Sequence, residues 1–390
     1  MVVRSLRTFP LPADGWGLLP PRDPVITALH RAAGRSFWKR RRPLPPWAGG
    51  LAAKAALALL LPSRIRRLRR PWGLTLAESA RIWADCFLYG LTPYEACLYR
   101  RECGRIPRDF VSDRVAIMLQ GALGNMAQKD LLADKVRFAD RLAQAGLAVV
   151  PTLLVLAGPD DIPSLTALPP GRYFLKPVAG FAGSGARPLI IPDAGGLLIQ
   201  GGIPITRADL LTGLTAELKH HSLMVQPMLE AAPDLPVDRH AAGIPPVLRV
   251  TTSRRPGGPA EIHGIHAATA PDGMSFRWPR WRRYPIDPAT ASLGPPVIVT
   301  ETTRIPCVWP WAGPAWPGLD RVIQLALDAA DHVPDIPLVG WDIVPTPAGP
   351  VILEGNVHIG ACWADLSYWL VGRPSPMAGV LHAWLERYPL

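Results

Sequence analysis

The chain has 390 residues and a mass of 42.3 kDa, enough to bury a sizeable core without disulfides or metals. Its 48% hydrophobic content excludes a disordered chain, and 46 Pro with 35 Gly stay below collagen-like or low-complexity levels. The net charge of +11 is uneven: residues 1–70 hold 15 Arg and Lys against Asp14 and Asp23, a net +13, while residues 71–390 sum to −2. Such a basic segment suits an anionic lipid surface, a nucleic acid or another acidic partner. Only 6 of the 42 basic residues are Lys, in a composition rich in Arg, Pro, Ala and Gly, so each Lys invites a question.

In chain order, the N-terminal part is Pro- and Arg-rich, with one helical stretch around Ala48–Leu61. Its most apolar run, Leu51–Leu61, is 11 residues, contains Lys54 and ends at Pro62, whereas a span needs roughly 20 apolar residues. Placed between Arg clusters, it suits a helix lying on an anionic membrane; a buried helix with solvated flanks would look the same. Residues 75–120 read as helices, opened by the capping-box pattern Thr75 to Glu78 and again by Pro93 after Thr92. Lys135–Ala145 predicts an amphipathic helix ended by Gly146.

β-type segments follow at Val149–Leu156, Tyr173–Pro177, Pro188–Ile191, Leu223–Gln226, Val247–Ser253 and Glu261–His266, then a helix at Leu319–Ala330. Val339–Val344 and Val351–Glu354 read as two strands joined by the turn Pro345–Pro350. The fold class is α+β. The expected divisions are a basic segment 1–70, a helical region 71–129, and two α+β units at 130–225 and 226–390. Cys86, Cys97, Cys103, Cys307 and Cys362 form an odd set without a CxxC pair, which points to a reducing cytoplasm rather than to zinc or a disulfide framework.

Two segments carry chemistry. In the first, a short apolar strand, Tyr173-Phe-Leu-Lys176, runs into Gly180-Phe-Ala-Gly183-Ser184-Gly185. Glycines let backbone N–H groups close around phosphate oxygens, and a fixed ammonium adds charge. The spacing matches neither the P-loop nor the Rossmann fingerprint, and an ordinary glycine hairpin has the same look. In the second, Glu354 and Asn356 share a strand face, and a five-residue loop Thr346–Pro350 sets Asp342 opposite Glu354. Two carboxylates and an amide oxygen make a hard-cation site, suited to Mg²⁺ on nucleotide phosphates. Apolar flanks make two unpaired carboxylates costly there without a cation, although an exposed hairpin with solvated acids is the plainer alternative.

Together, Phe174-Leu-Lys176-Pro, Val225-Gln226-Pro227, Leu248-Arg249-Val-Thr-Thr252 and Gly340-Trp341-Asp342-Ile343 with Gly349-Pro-Val351 and Glu354-Gly-Asn356 resemble the ATP-grasp superfamily over about Asp130 to Asn356. More narrowly, they look like its sugar-transfer-associated family. The resemblance implies two α+β subdomains gripping ATP. Lys135 and Lys176 would contact its phosphates, Gly183, Ser184 and Gly185 would form a flap, and Gln226, Pro227 and Met228 would line the adenine. Glu230 or Asp234 would hold the ribose, Arg249 would stabilise transferred phosphate, and Asp342, Glu354 and Asn356 would hold Mg²⁺.

The activity implied is an ATP-dependent carboxylate–amine ligase working through an acyl phosphate, in biosynthesis of a surface polysaccharide, peptide or small-molecule conjugate. A phosphotransferase on the same fold and a degenerate ATP-binding assembly factor at a membrane are the alternatives. Expected partners are ATP, a small carboxylate and an amine, anionic or sugar-linked, with an anionic membrane surface for residues 1–70; nucleic acid is not expected. The expected location is cytoplasmic, or peripheral to the inner membrane face. Where the family carries an Asn- and Gly-containing segment, this chain has Phe276-Arg-Trp-Pro-Arg-Trp-Arg-Arg283-Tyr284, suited to an anionic or sugar-like substrate or to a loop whose Trp residues pack on the body. His263, His266 and His358 read as structural histidines.

Overall fold

The structure, a computed structural model, describes residues 17–39, 46–69, 73–102, 106, 110–179, 185–193, 198–200, 203–237, 244–269, 282–294, 297–298, 315–365, 368 and 375–390. Seven helices lead the described chain: α1 Pro24–Lys39, α2 Pro46–Arg69, α3 Leu76–Tyr89, α4 Pro93–Glu102, α5 Asp113–Ala122, α6 Met126–Ala133 and α7 Lys135–Gln144. The start of α3 is capped as the sequence suggests. Glu78 N–H donates to Thr75 Oγ1 while the Glu78 carboxylate accepts from Thr75 N–H, and Gly90 closes α3 in the left-handed region at φ 74°.

Helix α2 corrects one expectation: it does not stop before Pro62 but continues to Arg69. Proline removes the N–H that would bond Ala58 O one turn earlier. Here the Trp83 indole N–H donates to that carbonyl at 3.4 Å, and Leu61 and Ile65 anchor the turn in a core with Leu74, Ile82, Cys86, Leu91 and Tyr99. Helix α1, inside the basic segment, shares a second core with α5 and the C-terminal helix Met377–Arg387 through Leu29, Ala33 and Phe37.

Two six-stranded antiparallel sheets follow, so the class is α+β as expected. The first comprises β1 Leu154–Leu156, β2 Gly171–Pro177, β3 Arg187–Ile191, β4 Leu198–Gln200, β5 Ile203–Ile205 and β6 Leu223–Pro227, in the order β1-β6-β2-β3-β4-β5. Tyr173 and Leu175 pack inward with Leu210, Leu214 and Leu218 of the helix Arg207–Leu218, so alternation along β2 sends Lys176 to the other face.

The second sheet comprises β7 Val247–Arg254, β8 Ala260–Thr269, β9 Arg282–Ile286, β10 Val297–Ile298, β11 Leu338–Thr346 and β12 Gly349–Asn356, in the order β10-β9-β8-β7-β11-β12. Val322, Ala326 and Ala329 of the helix Leu319–Asp331 join Val250, Ile265, Trp341 and Ile343 in one core, which fixes the apolar face of this sheet.

Two more expectations are corrected. The run Val149–Leu156 is not one strand: Val149 bridges Ile352 in the second sheet, and only Leu154–Leu156 pairs with β6 in the first. Pro151, without an N–H to donate, stands where the chain changes sheets. The β11–β12 connection is not a five-residue loop either. Pairing runs on through Thr346↔Gly349, so only Pro347 and Ala348 form the turn. That tighter turn alone would set Asp342 against Leu353. An irregularity between Asp342 and Ile343 restores the opposition of Asp342 and Glu354.

Candidate functional site

The two sheets face each other across a cluster of charged side chains. Lys176 comes from β2, Lys135 from the first turn of α7, Arg249 from β7, Asp342 from β11, and Glu354 and Asn356 from β12. Asp134 caps α7, its Oδ1 accepting from Val136 and Arg137 N–H, and this fixes where Lys135 starts. Lys135 Nζ then donates to Pro177 O at 3.3 Å, beside Lys176, and lies 3.6 Å from Glu354 Oε2. One ammonium thus ties the lysine strand of the first sheet to the acid strand of the second.

Arg249 and Asp342 are register partners on β7 and β11 and form a two-pronged pair, Nε to Oδ1 at 2.5 Å and Nη2 to Oδ2 at 2.8 Å. Their pairing is set by strand register, which no local segment carries, so the sequence assigns them separate duties. Gly340 leaves room for the guanidinium, since a Cβ there would stand 3.1 Å from Arg249 Cδ. Asn356 Nδ2 donates to Asp342 Oδ2 at 3.2 Å and to Glu354 Oε1 at 3.3 Å, so the three side chains named as the hard-cation set do converge.

Burial sets the electrostatics. It lowers the Lys176 pKa to about 8; Glu354 opposes this, Lys135 adds to it, and Asp342 opposes it weakly. For Glu354 burial pushes upward, but Lys135, Lys176 and Arg249 outweigh it and hold the carboxyl at about 2. Burial raises Asp342; Arg249 pulls it down and Glu354 pushes it up, with a net upward shift. Glu354 is therefore the firmly ionised acid of the pair.

A divalent oxygen-seeking cation is compatible with these donors. Two carboxylates and an amide, whose oxygen reaches the same side if the amide turns over, form a hard donor set. Among the described residues no group of three or more His, Cys, Asp or Glu side chains could hold a metal ion.

The remaining expected site residues are placed less tightly. Gln226 is buried at the end of β6 and its Nε2 reaches Val150 O at 3.5 Å, while Pro227 pairs with Tyr173. Met228 N–H donates to Arg172 O at 2.9 Å. Glu230 and Asp234 are exposed, and neither makes contact with the charged cluster in any hydrogen bond or ion pair described. Gly185 adopts φ 78° after β2, and a Cβ there would meet Pro177 Cγ at 3.0 Å. Gly183, Ser184, most of the Phe276–Tyr284 stretch, Cys103 and Cys307 lie outside the described residues. Of the three histidines, His263 bonds Asp365 at 2.9 Å, and Ser375 donates to the same carboxylate at 2.6 Å, a structural arrangement. His266, also expected to be structural, faces the charged cluster: it pairs with Arg249 across β7 and β8, and Arg283 Nη1 stands 2.8 Å from its Nε2.

No protein-family profile and no curated protein matches the chain. Solved structures that resemble it include the ATP-grasp ligase PsnB complexed with minimal precursor, at 16% identity and TM-score 0.38, covering 70% of this chain and 67% of that one. The D-alanine-D-alanine ligase from Coxiella burnetii is 13% identical with TM-score 0.41, covering 70% and 65%. The VanG D-Ala:D-Ser ligase from Enterococcus faecalis is 13% identical with TM-score 0.42, covering 68% and 64%. The chain spans about two thirds of the length of these structures.

Proposed function

We propose that the chain is an ATP-grasp enzyme: an ATP-dependent ligase that joins a carboxylate to an amine through an acyl phosphate. The observation that carries this reading is the convergence of Lys135, Lys176 and Arg249 with Asp342, Glu354 and Asn356 from opposed sheets. Three cations around a carboxylate pair suit a triphosphate brought in with a divalent cation. Asp342, Glu354 and Asn356 would hold Mg²⁺, which supplies charge neutralisation on the phosphates.

In this reading Lys176 and Lys135 bind phosphate oxygens, and Gln226, Pro227 and Met228 border the adenine. The substrate carboxylate oxygen attacks the γ-phosphorus; a bond to it forms as the bond to the β,γ-bridging oxygen breaks, and ADP leaves with the electron pair. Arg249 holds the transferred group. The amine nitrogen then attacks the acyl carbon, sheds a proton and expels inorganic phosphate. The sugar-transfer-associated family remains the narrower proposal, on the segments around Arg249 and Asp342.

The test is a phosphate-release screen of acid and amine pairs, with Mg-ATP raising the unfolding midpoint of the full chain. A ligase releases phosphate only with both co-substrates, a kinase leaves a stable phosphorylated product, and no midpoint shift removes the nucleotide reading. The pH response is specific. The ammonium form of Lys176 grips phosphate and is lost as pH rises through about 8, so Mg-ATP affinity read by thermal shift weakens above that pH. In Lys176→Met affinity is low throughout and this step is absent; a wild-type affinity that is flat from pH 7 to 9 contradicts the role.

For the basic segment we propose contact with an anionic membrane surface. Leu59 is 80% and Leu60 43% exposed on α2, and the exposed Arg66 and Arg67 follow on the same helical side at i+7. No described helix is long and apolar enough to cross a membrane. Each Arg near an anionic leaflet contributes about 1 kcal/mol. The affinity for phosphatidylserine-containing vesicles, read by sedimentation, is expected to fall about thirtyfold when Arg66 and Arg67 become Gln. Equal binding by the variant, or equal binding to neutral vesicles, counts against the contact.

A further inference from the structure

The polar face of the second sheet holds more than the proposed nucleotide machinery. Register pairing sets Arg249 opposite His266, Asp342 opposite Arg249 and Glu354 opposite Asp342. Arg283 pairs with Ala268, two residues along β8 from His266, and its Nη1 reaches His266 Nε2 at 2.8 Å. A single transverse row, Arg283–His266–Arg249–Asp342–Glu354, therefore crosses five strands on one face, while Val250, Ile265 and Trp341 lie in the core behind it.

The row is polarised. Its Glu354 end meets Lys135 and Lys176, where the triphosphate would sit. Its far end is a guanidinium joined to an imidazole. Burial, and then Arg283 and Arg249, hold His266 well below its ordinary pKa, so it stays neutral. An imidazole whose Nε2 accepts from Arg283 carries its own proton on Nδ1 and is itself a donor. In the row and its two lysines, four cations stand against two carboxylates, an excess that favours anionic ligands. Arg is also the side chain whose planar fork matches a carboxylate or a phosphate.

We propose that the Arg283–His266 end of this row binds an oxyanion group, carboxylate or phosphate, of the substrate that accepts chemistry from ATP. This rests on the nucleotide reading for its role, but not for the binding itself. Arg249, between the two ends, would then stand between the bound oxyanion and the γ-phosphate. Arg283 and His266 act as specificity-determining groups.

The test uses the full chain and two simple probes, acetate and inorganic phosphate, titrated at constant ionic strength with chloride as the control. Unfolding midpoints are followed with and without saturating Mg²⁺ and a non-hydrolysable ATP analogue, which occupies the γ-phosphate position. The expected result is a saturable rise with one or both probes while the analogue is bound. Arg283→Gln weakens the apparent Kd about tenfold or more, the loss of a charge-assisted pair, and Arg283→Lys falls between. The analogue's own stabilisation is unchanged in both variants, which also shows that they fold. No saturable rise in the wild type, or equal rises in wild type and Arg283→Gln, overturns the proposal. If the analogue itself fails to stabilise the wild type, the nucleotide reading falls, while the Arg283 dependence of the titration without nucleotide still decides the anion site.

Discussion

Glu354→Gln is expected to lower Mg-ATP-dependent phosphate release by about 10²–10³-fold while the full chain still folds. The residue is where the charges of the site meet. Lys135, Lys176 and Arg249 hold its carboxyl at about 2 against the opposing effect of burial, so it is ionised at any working pH. Glutamine keeps the size and one oxygen but removes the charge, leaving Lys135 and the buried Lys176 without their nearest carboxylate. A carboxylate whose folded pKa is depressed stabilises the fold above its unfolded pKa, near 4.5, and that contribution is lost as pH falls toward about 2. The Gln variant should therefore lack part of the acid-side loss of stability seen in the wild type. Phosphate release measured beside acid unfolding separates the two effects: near-wild-type turnover in a folded variant removes Glu354 from the proposed machinery.

Much of this site was legible because its chemistry is local in sequence. Glu354 and Asn356 share a strand face by spacing alone, and the apolar run ending in Lys176 is legible as the strand it forms. Lys135 stood out as a rare lysine just after the capping Asp134, and the structure brings it to Glu354. What could not be read is long-range register. The opposition of Asp342 and Glu354 was anticipated with a longer turn and no bulge, two departures that cancel, since the turn is three residues shorter and a one-residue irregularity makes up the offset. The Arg249–Asp342 fork and the His266–Arg283 contact depend on which strands are neighbours, and neither β7 beside β11 nor β8 beside β9 is written in any one segment. The continuation of α2 past Pro62 was hidden for the same reason. The donor that satisfies Ala58 O is Trp83, in another helix.

Trp341→Ala is expected to destabilise the chain by about 3–5 kcal/mol, measured by urea unfolding, which is the usual cost of truncating a buried Trp. Trp341 is fully buried behind the site, stacked on Phe138 with ring centroids 6.2 Å apart, and its indole N–H donates to Thr252 Oγ1 at 2.9 Å. The sheet is shaped around the ring: a Cβ on Gly355 would come within 3.0 Å of Trp341 Cζ3 and 2.7 Å of Leu132 Cδ2. Alanine removes the packing, leaves a cavity and strips Thr252 of its donor. Trp341→Phe keeps a ring and should cost less, about 1–3 kcal/mol, chiefly through the lost hydrogen bond and residual space. The consequence reaches function because Asp342 is the next residue on β11 and faces the other way. Any collapse of β11 into the cavity moves Asp342 relative to Arg249 on β7 and Glu354 on β12, its two register partners. Phosphate release should therefore fall in Trp341→Ala at temperatures where the variant is still folded, and recover in Trp341→Phe. A cost below about 1 kcal/mol, or full turnover in the Ala variant, would mean that the apolar face does not hold the polar row in place.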